Sequence, residues 1–384
     1  MKLAFVFDVC FSYYQGHYYS INLSEKFWKS RYLQVFDEVV VVGRYKNSLK
    51  DPSGRLVRSD YENVNFKCIK DHSRIKRFAY LSQENSFIED AIRDCDAVIC
   101  RSWWGVKPCK KLGKNYMIEA IACAWDSYWN HSMLGKFVAI PAFLLLKSAI
   151  YNAPYVTYVT NEFLQKRYPT CGKNIGVSDV VLNEDMSEDV LKLRLNKISS
   201  KAKNEKWIIG TAAAVNVKFK GQEYVIRALA ELKRQGFDNF IYQLAGNGDK
   251  QYLQNIAKKE GVLEQVEFCG SIPHDKIFKW YDSLDLYIQP SLTEGLPRAV
   301  VEAMSRGLPV VGTNGGGIPE LIESNYIYKI NSDMVNSITR LLSSFRKEDL
   351  IKNSERNFEF AKNYQADKLS QKRIEFLRLF AENK

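Results

Sequence analysis

At 384 residues, the chain has the length of two ordinary domains. Hydrophobic residues make up 46% and charged residues 26%, a globular composition that excludes a largely disordered chain. Lysine and arginine outnumber aspartate and glutamate 55 to 44, a formal charge of +11, and no apolar run approaches the roughly 20 residues needed to cross a bilayer.

The elements follow in chain order. The opening run 3–8 (LAFVFD) reads as a strand. It is too short for a signal peptide and Asp8 interrupts it, so the chain is expected in the cytosol. Segment 18–32 has helical spacing, 37–43 (DEVVVVG) and 96–100 (DAVIC) read as strands, and 133–152 reads as a helix. Strands are predicted again at 155–160 and 179–182. The charged stretch 184–206 carries no strand signal and reads as a domain end and linker. A second series alternates strands at 207–212, 240–246, 265–270, 285–290 and 308–313 with helices at 221–236, 249–260, 274–282 and 297–306. The stretch 348–381 is helical and charged. This alternation predicts α/β architecture: a domain over 1–190, a linker at 191–206, a second domain over 207–365, and a helix at 366–384 that packs back on the first. Two such domains would face each other across a cleft, with ligands at the carboxyl ends of the strands.

The eight cysteines include no C-x-x-C pair, and several lie in apolar runs, as at Cys100 and Cys269. They are expected to be reduced, buried thiols. The excess positive charge concentrates in 101–175, with 10 basic and 3 acidic residues. This region holds the apolar segment 137–146, interrupted by Pro141. It could present either a basic amphipathic surface for anionic lipid or a solvated basic face beside a core helix. No repeated basic and aromatic pattern points to nucleic acid.

The richest chemistry lies at 289–320. Pro297 fits the first turn of a helix, and the backbone N–H groups over 295–298 would make an anion site with the helix dipole. Glu294 precedes that helix and Glu302 lies within it, on one stripe with Arg298 and Ser305. Carboxylates accept well from sugar hydroxyls. The alternative is structural: Glu302 bridging Arg298 and Glu294 capping the helix. Gly295, Gly307 and the run Gly315, Gly316, Gly317 would permit close backbone approach to a ligand.

The run T-E-G-L-P-R-A-V-V-E-A-M-S-R-G-L-P-V-V resembles the E-x7-E element of the retaining glycosyltransferases of the GT-B fold, the family-4 group. The resemblance extends through K-G-Q-E-Y-V-I-R-A-L (220–229), L-A-G-N-G-D (244–249), V-E-F-C-G (266–270), D-L-Y-I-Q-P-S (285–291) and G-G-I-P-E-L (316–321). The first half, including V-T-N-E-F-L-Q-K-R-Y-P (159–169), is similar more loosely. The resemblance implies two Rossmann-like domains and a set of residue roles. Glu294 would contact the transferred sugar, Glu302 the ribose hydroxyls, and Lys220 the diphosphate. Gly295, Leu296, Pro297 and Arg298 would lie near diphosphate and sugar. Gly270, Ser271 and Ile272 would line the base. Gly16, in a strand-to-helix loop, would approach the phosphates.

The chain also departs from that pattern. Ala214 stands where the family carries a second phosphate-binding arginine, and Lys218 is the nearest substitute, a point charge in place of a bidentate fork. No histidine stands at the strand end where the family often places one near the sugar. His131, Asp126 and Trp125 are candidates, as is His17, and His274 is a helix-start residue near the base. The one D-x-D, Asp94-Cys95-Asp96, falls in a helix-to-strand turn and reads as structural.

The resemblance implies transfer of a hexosyl group with retention, by same-face attack with the leaving phosphate as base, and with neither metal nor cofactor. The expected partners are a nucleotide-diphosphate-sugar donor and a saccharide or lipid-linked saccharide acceptor of surface polysaccharide assembly. Peripheral attachment to the inner membrane face and an anionic membrane surface as partner complete the expectation. A GT-B epimerase or phosphorylase and a non-catalytic nucleotide-sugar-binding partner remain as alternatives. Hydride transfer fits least, because G-x-G-x-x-G is missing.

Overall fold

The computed structural model describes residues 1–47, 56–71, 81–129, 133–182, 186–202 and 205–382. The chain forms two compact units, Met1–Asp179 with Asp367–Lys384, and Val180–Ala366.

In chain order the first unit contains β1 (Lys2–Tyr14), β2 (His17–Ser20), α1 (Glu25–Ser30), β3 (Glu38–Asn47), β4 (Val57–Arg58), β5 (Val64–Lys70), α2 (Leu81–Ile92) and β6 (Ala97–Cys100). It continues with α3 (Val106–Lys111), β7 (Tyr116–Ala120), α4 (Ala124–Trp129), α5 (Met133–Tyr151), β8 (Tyr155–Tyr158), α6 (Phe163–Arg167) and β9 (Lys173–Gly176). The second unit contains α7 (Glu188–Ser200), β10 (Trp207–Ala212), α8 (Gln222–Arg234), β11 (Phe240–Ala245), α9 (Gln251–Lys259), β12 (Val266–Gly270) and α10 (His274–Ser283). After these come β13 (Leu286–Gln289), α11 (Arg298–Ser305), β14 (Val310–Thr313), β15 (Ile327–Tyr328), α12 (Met334–Ser344) and α13 (Lys347–Ala361). The last helix, α14 (Ala366–Glu382), returns almost wholly to the first unit.

Among the described residues of the first unit, seven strands run parallel in the order β5-β3-β1-β6-β7-β8-β9, and β2 and β4 extend the far half of β1 antiparallel. The central strands are apolar on both faces because helices cover both. Val39, Val40, Val41 and Val42 are all buried. One face carries α2, α3, α5 and α6, and their cluster includes Ile88, Val106, Ile150 and Leu164. The other carries α1 and α14, with Trp28, Tyr32, Phe376 and Phe380. The α14 helix is held through Phe376 and Phe380 against Tyr155, and through the Arg373 guanidinium, which donates to the Ser178 carbonyl and the Asp179 carboxylate.

The second unit has the sheet order β12-β11-β10-β13-β14-β15, parallel throughout. The order reverses between β10 and β13. The connections leaving β10 and β13 therefore run on toward opposite edges of the sheet, and in doubly wound sheets ligands bind outside the carboxyl ends of the strands at such a reversal.

Three expectations are corrected. Segment 18–32 is not one helix: 17–20 form β2, and only 25–30 are α-helical. The alternating tyrosines on each side of Gly16 favour a hairpin, and Tyr13 packs on Tyr18. Segment 179–182 is no strand, and only Leu182 bridges, to Gln365. The expected linker 191–206 begins inside α7 and the unit boundary falls at 179/180. The α7 helix looked like a linker because its anchor is polar. Buried Arg194 donates to the carbonyls of Tyr281 and Leu284, which satisfies the carboxyl end of α10.

The cysteines are free thiols. Cys95, Cys100, Cys109 and Cys123 are buried, whereas Cys171 and Cys269 are exposed, against expectation. Asp96 of the D-x-D accepts the Lys2 backbone N–H at 2.7 Å and fixes the start of β1.

Candidate active site

The loops after β10 and β13 meet at the point of strand reversal. After β10, the chain makes a single turn over 218–220 and reverses at Gly221, whose φ is +73°. A Cβ at Gly221 would lie 2.0 Å from the Pro290 carbonyl oxygen, so only glycine lets this turn seat against the end of β13. The Leu292 N–H donates to the Phe219 carbonyl at 2.8 Å and locks the two loops together. This places Lys220 and Glu294 side by side, with Nζ 2.6 Å from Oε1. Both side chains keep partial exposure, 22% and 14%.

A hydrogen-bonded chain fixes Glu294 from behind. The Gln289 Nε2 donates to Glu294 Oε1 at 3.1 Å and to Ser291 Oγ at 2.8 Å. Its Oε1 accepts from the Tyr287 hydroxyl at 2.9 Å, which in turn accepts the Ala212 N–H. Burial pushes the Tyr287 hydroxyl well above its ordinary pKa, so it stays protonated and donating. Sequence reasoning missed Gln289 and Tyr287. Their only signal was a polar residue closing the otherwise apolar strand L-Y-I-Q.

Beyond Glu294 the chain enters α11 at Pro297, and no side chain caps the helix. Glu294 therefore does not act as its cap. The first N–H groups of the helix have no preceding helical carbonyl, and its dipole adds positive potential beside the Lys220–Glu294 pair. Gly295 and Leu296 are partly buried, Pro297 is buried and Arg298 is exposed. The glycine run makes its close approach to this loop and not to open space. A Cβ at Gly316 would lie within 1.8 Å of the Glu294 carbonyl oxygen, and the Gly317 N–H donates to the Gly295 carbonyl at 3.0 Å.

Glu302 lies about one turn into α11 and is buried. Its Oε2 accepts from the Tyr281 hydroxyl at 3.1 Å, and its Oε1 lies 4.0 Å from His274 Nε2 at the start of α10. Burial raises the Tyr281 hydroxyl well above its ordinary pKa and keeps it a donor. His274 is exposed, next to the turn 270–272 that ends β12. Gly270 and Ser271 are exposed there and Ile272 is partly buried. Gly270 takes a φ of +69°, with open space beside it.

The remaining candidates take the following places within their own units. Lys218 extends over Tyr252, with Nζ 4.7 Å from the ring centroid. The Ala214 carbonyl accepts from Gln222 and supplies no cation. Gly16 is not in a strand-to-helix loop: with Gln15 it forms the two-residue turn of the β1–β2 hairpin, at φ +84° and +47°. His17 pairs through Nδ1 with Asp60 at 2.8 Å. Asp126 lies 3.6 Å from Arg167, and Trp125 stacks on Trp129. His131 lies outside the described residues. Among the described residues, no three His, Cys, Asp or Glu side chains are grouped to hold a metal.

Comparison with known proteins agrees with this architecture. The family described as "Glycosyl transferases group 1" matches residues 194–358. Protein CapJ of Staphylococcus aureus is 33% identical over 370 residues, 92% of this chain and 90% of that one. The amylovoran biosynthesis glycosyltransferase AmsK of Erwinia amylovora is 42% identical over 113 residues, 28% of each chain. Among solved structures, Anabaena HepE in complex with UDP-glucose superposes with a TM-score of 0.62 at 16% identity, over 98% of this chain and 99% of that one. Both Rossmann-like halves thus have counterparts in the GT-B fold, and together with the near full-length relative they make this chain a member of the group 1 glycosyltransferases, related to polysaccharide biosynthesis enzymes.

Proposed function

We propose that the chain transfers a hexosyl group from a nucleotide-diphosphate-sugar to a saccharide acceptor, with retention of anomeric configuration, as an enzyme of the E-x7-E, family-4 type. The observation that carries this reading is the Lys220–Glu294 pair beside the amino end of α11, at the point of strand reversal. Breaking the bond between the anomeric carbon and the diphosphate leaves positive charge on the sugar and negative charge on the phosphate oxygens. In this reading Lys220 and the first N–H groups of α11 stabilise the leaving diphosphate. Glu294 is held by Gln289 to meet the sugar, and Glu302 accepts from the ribose hydroxyls. The acceptor hydroxyl attacks from the face the diphosphate leaves, gives its proton to a leaving phosphate oxygen, and bonds to the anomeric carbon. No protein nucleophile takes part.

The turn at Gly270, Ser271 and Ile272 lines the base. Gly295, Leu296, Pro297 and Arg298 surround the diphosphate and sugar. HepE was solved with UDP-glucose, which makes a uridine nucleotide the first donor to try. AmsK acts in amylovoran biosynthesis by name, and the acceptor proposed here is a lipid-linked glycan of surface polysaccharide assembly, reached at the cytoplasmic membrane face.

Incubating the enzyme with donor and a lipid-linked oligosaccharide, then reading the new linkage by NMR, tests the proposal. A product with the donor's anomeric configuration, formed in excess chelator, supports it. Conversion of the donor's sugar without any acceptor would instead show an epimerase, and complete loss in chelator restored by manganese would contradict the metal-free reading.

A further inference from the structure

Helix α5 presents apolar side chains on both of its sides. Its inward stripe, with Ala142, Leu146, Ala149 and Ile150, is buried in the first unit. Its outward stripe in the first turns is Phe137, Val138, Ile140, Pro141, Leu144 and Leu145. Phe137 is 79% exposed, Leu144 57%, Ile140 51% and Leu145 50%. At 100° per residue these six fall on one side of the helix. The run 137–146 holds no polar residue at all, yet six of its ten residues face outward. A large contiguous apolar patch of this kind marks a docking surface. No helix among the described residues is long and apolar enough to cross a membrane, so α5 would lie along an interface and not span it.

The exposed charge of the same layer selects the partner. Helix α3 belongs to the same layer as α5, since Val106 and Cys109 share a core cluster with Leu146 and Ile150. Lys107 and Lys110 of α3 are exposed, as is Lys147 on α5. The exposed Trp129, which stacks on Trp125, precedes α5 in the chain. Apolar side chains on a helix that also exposes Lys147, with two further lysines exposed on α3 of the same layer and an indole just ahead of the helix, fit the headgroup region of an anionic bilayer. A second copy of this chain is disfavoured, because a two-fold contact through α5 would bring equal sets of lysines together.

We infer that the outward face of α5, with Lys107, Lys110 and Lys147, docks the chain on an anionic membrane surface. The inference deepens the proposal of a membrane-borne acceptor and rests on it only for its purpose. Lipid binding is read without any sugar transfer, so either can fail alone.

The test is cosedimentation of the full chain with phosphatidylcholine vesicles, with or without about 30 mol% phosphatidylglycerol, at low and high salt. The wild-type chain is expected to bind the anionic vesicles, more weakly at high salt. The double variant Phe137→Glu, Leu144→Glu should lower bound protein at least about tenfold, while the triple variant Lys107→Glu, Lys110→Glu, Lys147→Glu should abolish the preference for anionic lipid. Wild-type melting temperatures would show that each variant folds, and Phe137→Ser with Leu144→Ser replaces the first should it fail. No binding of the wild type to anionic vesicles, or equal binding of a folded apolar-face variant, would overturn the inference. So would a dimer in solution that the apolar-face variant disperses.

Discussion

The Lys220 ammonium lies 2.6 Å from the Glu294 carboxylate, although 74 residues separate them in the chain. The cation proposed for the diphosphate and the carboxylate proposed for the sugar therefore hold each other in place. Each neutralises a charge that would otherwise stand half-buried. The pairing also means that neither residue acts independently.

Glu294→Ala and Lys220→Ala are each expected to lower kcat/KM by at least about a hundredfold, the size of a single electrostatic deletion at a reacting centre. The double variant should fall well short of the product of the two losses, because each single change also strands its partner. Steady-state kinetics of all four proteins check this, and strictly multiplicative losses would contradict the coupling.

Gln289 is a positioning residue in this account, since it acts through Glu294. Gln289→Met should lower kcat about tenfold, equal to roughly 1.4 kcal/mol, with little change in donor KM. A rise in KM at constant kcat would instead place Gln289 in donor binding.

Tyr281→Phe removes the hydroxyl that donates to Glu302 Oε2. A net loss of about 1 kcal/mol in stability is expected from one buried hydrogen bond. Because Glu302 is proposed to hold the ribose, donor KM should rise while kcat stays close to wild type. Donor titrations on the purified variant read both effects.

Gly221→Ala would place a Cβ against the Pro290 carbonyl at a φ of +73°. The turn that carries Lys220 must then shift. A loss of at least about 1 kcal/mol is expected from the backbone conformation alone, together with a fall in kcat/KM toward that of Lys220→Ala. Unchanged activity would show that the turn tolerates displacement.

Asp179, at the edge of the first unit, accepts from Arg31, Arg101 and Arg373. Burial alone would raise its pKa, but Arg31, Arg101 and Arg373 hold it well below the usual carboxylate range. A depressed folded pKa contributes stability above the unfolded value near ~3.9, and that stability is lost as pH falls through the folded pKa. Asp179→Asn should therefore cost stability at neutral pH. The cost is on the order of 1–2 kcal/mol, below that of a sealed pair because the carboxylate is 36% exposed. The variant should also show a shallower loss below about pH 4. Denaturant melts across pH measure both.

The second unit was the more legible in sequence. Its strands are short apolar runs ending in turn residues, and its helices carry clean amphipathic stripes. The predicted segments from 207 to 313 accordingly fall within a few residues of the observed ones. Glu294 and Glu302 stood out because proline, glycine and the two carboxylates share one loop and helix. Their support did not stand out. Tyr287 and Tyr281 look like ordinary core aromatics until a sheet and a helix bring their hydroxyls to polar partners. The first unit hid more. β1 continues past Asp8 to Tyr14 through an irregularity between Val6 and Cys10, and an acidic residue inside an apolar run conceals such a strand. The α7 helix was obscured because its tie to the fold is one guanidinium among carbonyls and not an apolar stripe. Nothing in a single sequence announces that kind of contact.

The most direct measurement is a thermal-shift titration of the wild type and of Lys220→Ala with nucleoside diphosphates and their sugars. A ligand at about a hundred times its Kd stabilises by about 2.7 kcal/mol, a rise of several degrees in Tm. The account predicts such a rise for at least one nucleotide-sugar with the wild type, and its loss in Lys220→Ala. A rise of equal size in the variant, or no rise with any nucleotide-sugar, would contradict a donor held at Lys220 and Glu294.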